Sequence, residues 1–249
     1  MILKNPKPSK TMILAAGLGS RLKQNTADRP KALVEIGGRP ILGFQLETLI
    51  EGDLDEIGIV LGYHGEMISK FVDKQFPGLD VTYFQNHEYA TTNSTYSFWQ
   101  AREWVGGGSA VHLNCDILFS KHLLKRLLES PHENVIAVRT DVPLGGRMEH
   151  IALNGDCITQ MSLVQEQESV GKAFGLAKFG PSHFEFVCRY IEEHIQYGIK
   201  NEHYFGIIRE AVKTLDYHAL IASPDLLLEV NTVDDLCVAE SILKNKEMS

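Results

Sequence analysis

A glycine-rich turn with two nearby cations is the first feature whose residue types could do chemistry. Gly17 and Gly19 follow an apolar run, and their missing Cβ atoms let backbone amides approach an anion closely. Arg21 adds a forked guanidinium, and Lys31 follows a proline that stiffens the chain before it. The segment lacks the third glycine of a dinucleotide fingerprint and the Gly-Lys-Ser/Thr of a Walker loop. We interpret it as a phosphate-binding loop, with a plain tight turn as the alternative.

Polar residues near the expected ends of elements form a second group of candidates. Asp116 follows an apolar run, and ligands of open α/β sheets bind outside the carboxyl ends of strands. Mg²⁺ takes one or two carboxylates together with phosphate oxygens and water, so Asp116 is a candidate metal ligand. Asn93 and Ser97 lie at the start of an expected helix. Asn93 either caps that helix or contacts, with Ser97, a ribose or a base.

Alternating apolar runs and amphipathic stretches predict the elements that must position these residues. The alternation favours an α/β fold, a Rossmann-like three-layer α/β/α arrangement with a mixed, mainly parallel sheet and right-handed crossovers. We expect strands over residues 11–16, 56–61, 81–85, 110–113 and 135–139, alternating with helices over residues 40–51, 65–76, 94–105 and 121–129.

The regular alternation weakens after residue 139. Asn154, Gly155 and Asp156 carry the turn signal of a hairpin between strands 150–153 and 157–163. We expect a tail over residues 1–10 and a single domain over residues 11–249, with an acceptor-side subregion around residues 140–215. The remaining expected elements are strands over 174–179, 217–222 and 226–230 and helices over 182–197, 203–213 and 233–244.

Composition narrows the function classes. The formal net charge of -8 argues against a nucleic-acid binder or an anionic-membrane binder, which would need a basic face. No apolar run reaches the roughly 18 residues of a membrane span. The four cysteines form no C-x-x-C pair, which is typical of reduced thiols in a cytoplasmic protein. We therefore expect a cytoplasmic location, with no nucleic acid and no membrane as partners.

Two runs resemble the signature of a known superfamily. The stretch from Leu14 to Leu22, together with Pro30-Lys31 and the residues up to Ile41, is similar to the motif of nucleotidyltransferases with the glycosyltransferase-A-like fold. That superfamily includes sugar-1-phosphate nucleotidyltransferases, molybdenum-cofactor guanylyltransferases and phosphocholine cytidylyltransferases. The resemblance implies that the loop wraps a triphosphate that Arg21 and Lys31 neutralise. The implied nucleotide-binding residues are Leu14, Ala15, Ala16, Gly17, Leu18, Gly19, Ser20, Arg21, Lys31, Asn93 and Ser97.

The run that contains Asn93 and Ser97 points to one branch of the superfamily. It is similar to the N-x-x-Y-S-L stretch of phosphocholine cytidylyltransferases, whereas sugar-nucleotide enzymes of this fold usually show a G-T-A run there. The resemblance therefore favours CTP as the donor.

The resemblance also implies a Mg²⁺ site. Family members carry an aspartate at the end of a strand similar to the one before Asp116, and a second one in a C-terminal run like E-I-D-T-x-x-D-L. Here Asn231 stands where that second aspartate is expected. Either Asn231 is a neutral, weaker ligand, or it only caps a helix and Glu229 or Asp234 contributes the second carboxylate.

The implied reaction is in-line attack of an acceptor phosphate oxygen on the α-phosphorus of the nucleotide, with release of pyrophosphate. A phosphate monoester is largely ionised at pH 7, its second pKa being about 6, so no general base is required. Catalysis is then expected to depend on positioning and charge neutralisation by Lys31, Arg21 and Asp116.

The acceptor stays open at this stage. Candidate acceptor-binding residues are Trp99, Arg147, Lys178 and Tyr204, with core packing as the alternative for the two aromatics. A phosphocholine-like compound, a phosphonate, an inositol phosphate and a phosphorylated amino acid are all compatible, in synthesis of a precursor for a cell-surface polysaccharide or lipid. Two other functions are a sugar-1-phosphate nucleotidyltransferase that uses UTP, GTP or dTTP and an inactive nucleotide-binding regulatory protein. A homodimer is among the compatible assemblies.

Overall fold

The computed structural model describes the chain from residue 8 to residue 247. Residues 1–7 of the expected N-terminal tail lie outside this range, and the first strand begins at Lys10. The described strands are β1 (Lys10–Ala15), β2 (Glu35–Ile36), β3 (Arg39–Pro40), β4 (Glu56–Leu61), β5 (Asp80–Gln85), β6 (Ala110–Asn114), β7 (Ile117–Phe119), β8 (Val135–Arg139), β9 (His150–Asn154), β10 (Cys157–Ser162), β11 (Gly171–Phe179), β12 (His218–Ile221) and β13 (Leu227–Glu229). The described α-helices are α1 (Ile41–Glu51), α2 (Gly65–Gln75), α3 (Ser94–Val105), α4 (Lys121–Glu129), α5 (Pro181–Gln196), α6 (Tyr204–Ala211) and α7 (Val233–Glu247).

The main sheet has nine strands in the order β5-β4-β1-β6-β11-β8-β12-β10-β9. Its first four strands are all parallel, as the alternation of strands and helices predicts. Strand β11 runs antiparallel to both β6 and β8, and β9 and β10 form the expected hairpin. The mixed sheet is thus confirmed, and its parallel half carries the glycine-rich turn after β1 and Asp116 after β6.

Apolar side chains on the two faces of the sheet build two separate cores, which confirms the three-layer fold. Successive residues of a strand point to opposite faces. Ile13 of β1 accordingly packs with the helix side chains of α1, α2 and α4, whereas Met12 packs with those of α3, α5 and α6. Leu46 of α1 and Phe98 of α3 are fully buried representatives of the two cores.

A third core positions the C-terminal segment, and of the two short strands beside it the sequence predicted β13, over residues 226–230, but not β7. Strand β13 pairs antiparallel with β7, with Glu229 opposite Ile117. The backbone N–H of Val230 donates to the carbonyl of Asp116 at 2.9 Å. Ala239 of α7 packs in the same core. This pairing brings the segment that contains Asn231 next to the end of β6.

Candidate active site

A cavity of about 770 Å³ opens at the carboxyl ends of the parallel strands. Its lining includes the turn after β1, the start of α3, the end of β6 and the segment after β13. Parallel sheets place ligands at this edge, because the loops that follow the strands diverge there.

The turn after β1 is shaped by two glycines. Gly19 has a φ of 64°, in the left-handed region, and a Cβ on it would lie 3.0 Å from the Cβ of Lys31. Gly62, after β4, is equally constrained, because a Cβ there would lie 2.4 Å from the carbonyl oxygen of Ala16. The loop from Ala16 to Arg21 lines the cavity as a result of this close packing.

Lys31 links the turn to the two candidate metal ligands. It begins a 3₁₀ turn, Lys31–Leu33, directly after Pro30, and it is only 8% exposed. Its Nζ donates to Asp116 Oδ2 at 2.5 Å and to Asn231 Oδ1 at 2.8 Å. Arg21 Nη2 donates to the same Asn231 oxygen at 2.6 Å. The structure therefore brings Arg21, Lys31, Asp116 and Asn231 together in one charged cluster.

Burial determines the electrostatics of the two carboxylates in this region. Burial raises the pKa of the Asp116 carboxyl, and the Lys31 ammonium offsets that rise only in part. Burial would also raise the pKa of Glu229, yet the Lys172 ammonium, 2.7 Å from Glu229 Oε2, holds it below its usual value. Asp116 Oδ1 is buried and has no hydrogen-bond partner among the described residues. An oxygen in that condition is suited to a cation ligand.

Asn93 and Ser97, at the start of α3, both line the cavity. Asn93 caps α3, since its Oδ1 accepts from the N–H of Ser94 at 2.8 Å, and it also lines the cavity. Ser97 Oγ accepts from the buried Asn86 Nδ2 at 3.1 Å. Asn86 is not among the residues predicted from the sequence, although its position directly after β5, at a strand's carboxyl end, is a usable signal.

Ala15 does not belong to the lining. Leu14 and Ala16 face the cavity, and Ala15 packs in the core on the opposite face of the sheet, because side chains alternate along β1. The inclusion of Ala15 among the nucleotide-binding residues is corrected accordingly.

The structure disperses the four candidate acceptor-binding residues. Arg147 is exposed and lines the cavity. Tyr204 lies at its floor but is 1% exposed, and its hydroxyl is 2.7 Å from His183 Nε2. Tyr204 is therefore mainly a core residue.

Lys178 and Trp99 lie away from the cavity, which corrects both assignments. Lys178 is 4% exposed on β11, and its Nζ donates to the carbonyl of Ser130 at 2.6 Å. Trp99 packs against the guanidinium of Arg102, 3.9 Å from its ring centre, and lines a different surface depression. Neither position could be predicted from sequence spacing, because the packing around β11 and α3 decides which of their side chains face the cavity.

The cavity also contains charged residues that the sequence analysis missed. Glu149 precedes β9, and Arg209 lies on α6. Arg209 Nη1 lies 2.7 Å from both carboxylate oxygens of Glu149. His203, directly before α6, lines the same cavity. These residues are far apart in the sequence and share no motif, so only the tertiary structure brings them together.

A separate group of three potential metal ligands lies at the opposite edge of the sheet. The ligand atoms of His132, Asp156 and His218 are all within 4.8 Å of one another. Strand β12, which begins at His218, runs in the same direction as β6, so its start is distant from Asp116. This group is therefore distinct from the candidate active site. Within the described part of the chain, every helix is too short or too polar to cross a membrane.

The three-layer fold is the one found in nucleotidyltransferases with the glycosyltransferase-A-like fold. The sequence model of the MobA-like NTP transferase domain family matches residues 11–180. The chain therefore belongs to that family.

Two relatives and one solved structure extend the comparison. A choline-phosphate cytidylyltransferase from Streptococcus pneumoniae is 26% identical over 238 residues, which cover 95% of this chain and 99% of that protein. A CMP-5'-(3-aminopropyl)phosphonate synthase from Streptomyces rubellomurinus is 32% identical over 149 residues, 59% of this chain but only 24% of that longer protein. The inositol-1-phosphate CTP transferase from T. maritima superposes with a TM-score of 0.81 at 18% identity, covering 98% of each chain, and so shares the fold.

The different surroundings of Lys31 and Arg21 generate a first prediction. Lys31→Ala should weaken binding of a nucleoside triphosphate and also lower the free energy of unfolding by about 3 kcal/mol, because it leaves a buried carboxylate without its cation. Arg21→Ala removes an exposed cation, so it should weaken triphosphate binding with a stability change within about 0.5 kcal/mol. Urea denaturation and titration calorimetry measure the two effects. Wild-type stability in Lys31→Ala would show that the pair with Asp116 contributes nothing.

Proposed function

We propose that the chain is a CTP-dependent cytidylyltransferase that transfers CMP to a small phosphorylated acceptor and releases pyrophosphate. The observation that carries the proposal is the cluster in which Lys31, packed against the glycine-rich turn, donates to both Asp116 and Asn231. The full-length similarity to a choline-phosphate cytidylyltransferase supports both the reaction type and the donor. The product would be an activated head group for a cell-surface polysaccharide or lipid, and a cytoplasmic location suits the supply of CTP.

The protein's own contribution to the reaction is positioning and charge. Backbone amides from Gly17 to Ser20, with Arg21 and Lys31, would surround the triphosphate and stabilise the negative charge that develops on the leaving pyrophosphate. The acceptor phosphate oxygen forms the new bond to the α-phosphorus as the bond to the pyrophosphate oxygen breaks. The acceptor phosphate is already ionised, so no side chain has to remove a proton.

The described residues suit a divalent cation, and we propose Mg²⁺. Asp116 offers a buried oxygen without a partner among the described residues, and Glu229 lines the same cavity. Asn231 offers an amide oxygen, which in this structure accepts from Arg21 and Lys31 and would exchange one of these bonds for a cation. Oxygen ligands of this kind are the ones that Mg²⁺ prefers. When bound, a divalent cation would supply positive charge against the phosphates.

The start of α3 supports the choice of CTP. Thr92, Asn93 and Ser97 line the cavity there, and the buried Asn86 holds two of them, because its Nδ2 donates to Thr92 Oγ1 and to Ser97 Oγ. Amide and hydroxyl groups recognise the polar edge of a base through hydrogen bonds. The hydrogen bonds within this set fix the orientation of its donors and acceptors. A fixed amide set is suited to selecting one pyrimidine over another.

The proposed function is tested by pyrophosphate release over a matrix of CTP, UTP, GTP and dTTP against a panel of phosphorylated acceptors. CTP should give the highest kcat/KM, and Asp116→Ala should lower the rate at least a hundredfold, because the cation would lose its one buried charged ligand. Turnover that prefers UTP, GTP or dTTP with a sugar phosphate would assign the alternative function. Tight nucleotide binding without any turnover would indicate a regulatory protein.

Asn231 generates a further prediction, because the amide brings one negative charge less than a carboxylate would. Asn231→Asp should lower the Mg²⁺ concentration needed for the half-maximal rate by about tenfold, since affinity for such ions follows the number of charged ligands. Asn231→Ala is the control and should raise that concentration. An unchanged metal requirement in both variants would show that Asn231 only holds Arg21 and Lys31 in place.

A further inference from the structure

The part of the cavity lined by Arg147, Glu149, Lys172, His203 and Arg209, which we call the acceptor wall, has an unusual charge arrangement. The acceptor wall contains the carboxylate of Glu149, and the carboxylate of Glu229 lies beside Lys172. Each of these two carboxylates is already paired with a cation. Glu229 is bound by Lys172, and Glu149 is bound by Arg209. The wall therefore offers no unpaired negative charge to a cationic ligand.

The guanidinium groups of the acceptor wall, by contrast, have N–H donors that make no hydrogen bond to another described residue. Arg209 uses only Nη1 for both Glu149 oxygens, so Nε and Nη2 make no hydrogen bond to another described residue. Arg147 is exposed and makes no hydrogen bond or ion pair among the described residues. Arg147 lines the same cavity as Glu149, His203 and Arg209, and its charge lowers the pKa of both Glu149 and His203. Two guanidinium groups with free donors near one point form a geometry suited to a carboxylate or a phosphate.

His203 adds a neutral donor to the same wall. Burial, together with the charges of Arg147, Arg209 and Arg21, lowers the pKa of His203, which favours the neutral ring at pH 7. Its Nε2 lies 3.4 Å from Asn93 Nδ2, an amide nitrogen that can only donate, so Nε2 accepts and Nδ1 carries the proton. The neutral ring leaves the positive charge of the wall to the two arginines.

The wall lacks the aromatic faces that a quaternary ammonium needs. Three aromatic residues line the cavity: Tyr204 and Phe205 are 1% and 8% exposed, and the half-buried Tyr89 lies beside Gly62, which contacts Ala16 in the turn after β1. The Tyr204 ring is stacked on His112 with ring centres 4.6 Å apart, so that face is already covered. Trp99 lies in a different depression.

The phosphate of the acceptor does not account for the two arginines. In the proposed reaction, the phosphate oxygen of the acceptor attacks beside Asp116 and Asn231. The cation of the acceptor wall next to this position is Lys172, because it binds Glu229, whose charge acts on Asp116. Arg147 and Arg209 make no hydrogen bond to Asp116 or Asn231 among the described residues and surround Glu149 instead. They are thus available for a second group on the acceptor.

We propose that the acceptor carries a carboxylate in addition to its phosphoryl group, and that Arg147 and the free edge of Arg209 bind this carboxylate. The substrate class is a phosphorylated carboxylic acid, such as a phosphorylated amino acid, rather than a phosphorylated quaternary amine. The inference rests on the proposed function for the identity of the site, and it makes Arg147 the residue that determines acceptor specificity.

The test compares O-phosphoserine with phosphoethanolamine, which differ only by the carboxylate, and with phosphocholine. Binding is measured by titration calorimetry in the presence of α,β-methylene-CTP, which prevents transfer, and kcat/KM is measured with CTP by pyrophosphate release. O-phosphoserine should bind at least about tenfold more tightly than phosphoethanolamine, because a charge-assisted guanidinium pair is worth that much. Phosphocholine should bind most weakly.

Arg147→Gln should bring the ratio of the two affinities towards one and leave the affinity for the CTP analogue unchanged. Arg189→Gln is the matched control, because it removes the same charge from an exposed position outside the cavity, and it should keep the wild-type ratio. Equal binding of phosphoethanolamine or phosphocholine, no measurable binding of O-phosphoserine, or an unchanged ratio in Arg147→Gln would overturn the inference. A retained binding preference without any turnover of CTP would instead refute the proposed function and uphold the carboxylate site.

Discussion

The charged contact of Lys31 with Asp116 and Asn231 is the interaction on which the rest of the site depends. A buried carboxylate without a cation costs several kcal/mol, so Asp116 requires a positive partner whether or not a ligand is bound. Lys31 provides it from a turn that precedes α1, and the same ammonium reaches Asn231, 200 residues further along the chain. One side chain thus joins the glycine-rich turn, the end of β6 and the segment before α7.

That arrangement explains why the minor strands matter as much as the main sheet. The parallel strands place the turn after β1 beside Asp116, but Asn231 reaches the cluster only because β13 pairs with β7. Asp235 then fixes the segment, since its Oδ2 accepts from the backbone N–H groups of Asn231 and Thr232 at 2.9 and 2.8 Å. The proposed nucleotide chemistry uses charges that the fold already has to hold together.

Much of this could be predicted from the sequence, and the failures have physical reasons. β4, α3, α4 and β8 have the bounds expected from periodicity, because each has an apolar pattern bounded by polar or turn residues. β7, which was not predicted, has three residues, too few to show a period, whereas β13 lies within the strand expected over residues 226–230. Lys178 is a candidate from the sequence because its charge could bind an anionic group of the acceptor, whereas the strand here buries the side chain and its ammonium donates to a backbone carbonyl. The Glu149–Arg209 pair joins distant segments and leaves no local signal.

The central claim is that this cavity joins the α-phosphate of CTP to an acceptor phosphate, and label transfer tests it most directly. The protein would be incubated with CTP labelled at the α-phosphorus, Mg²⁺ and O-phosphoserine, phosphoethanolamine, phosphocholine or an inositol phosphate. The account predicts that the label appears in a diphosphate diester of the acceptor and that the released pyrophosphate carries none. A label that stays in CTP with every acceptor, or that appears in CDP after transfer of the terminal phosphate, would contradict it.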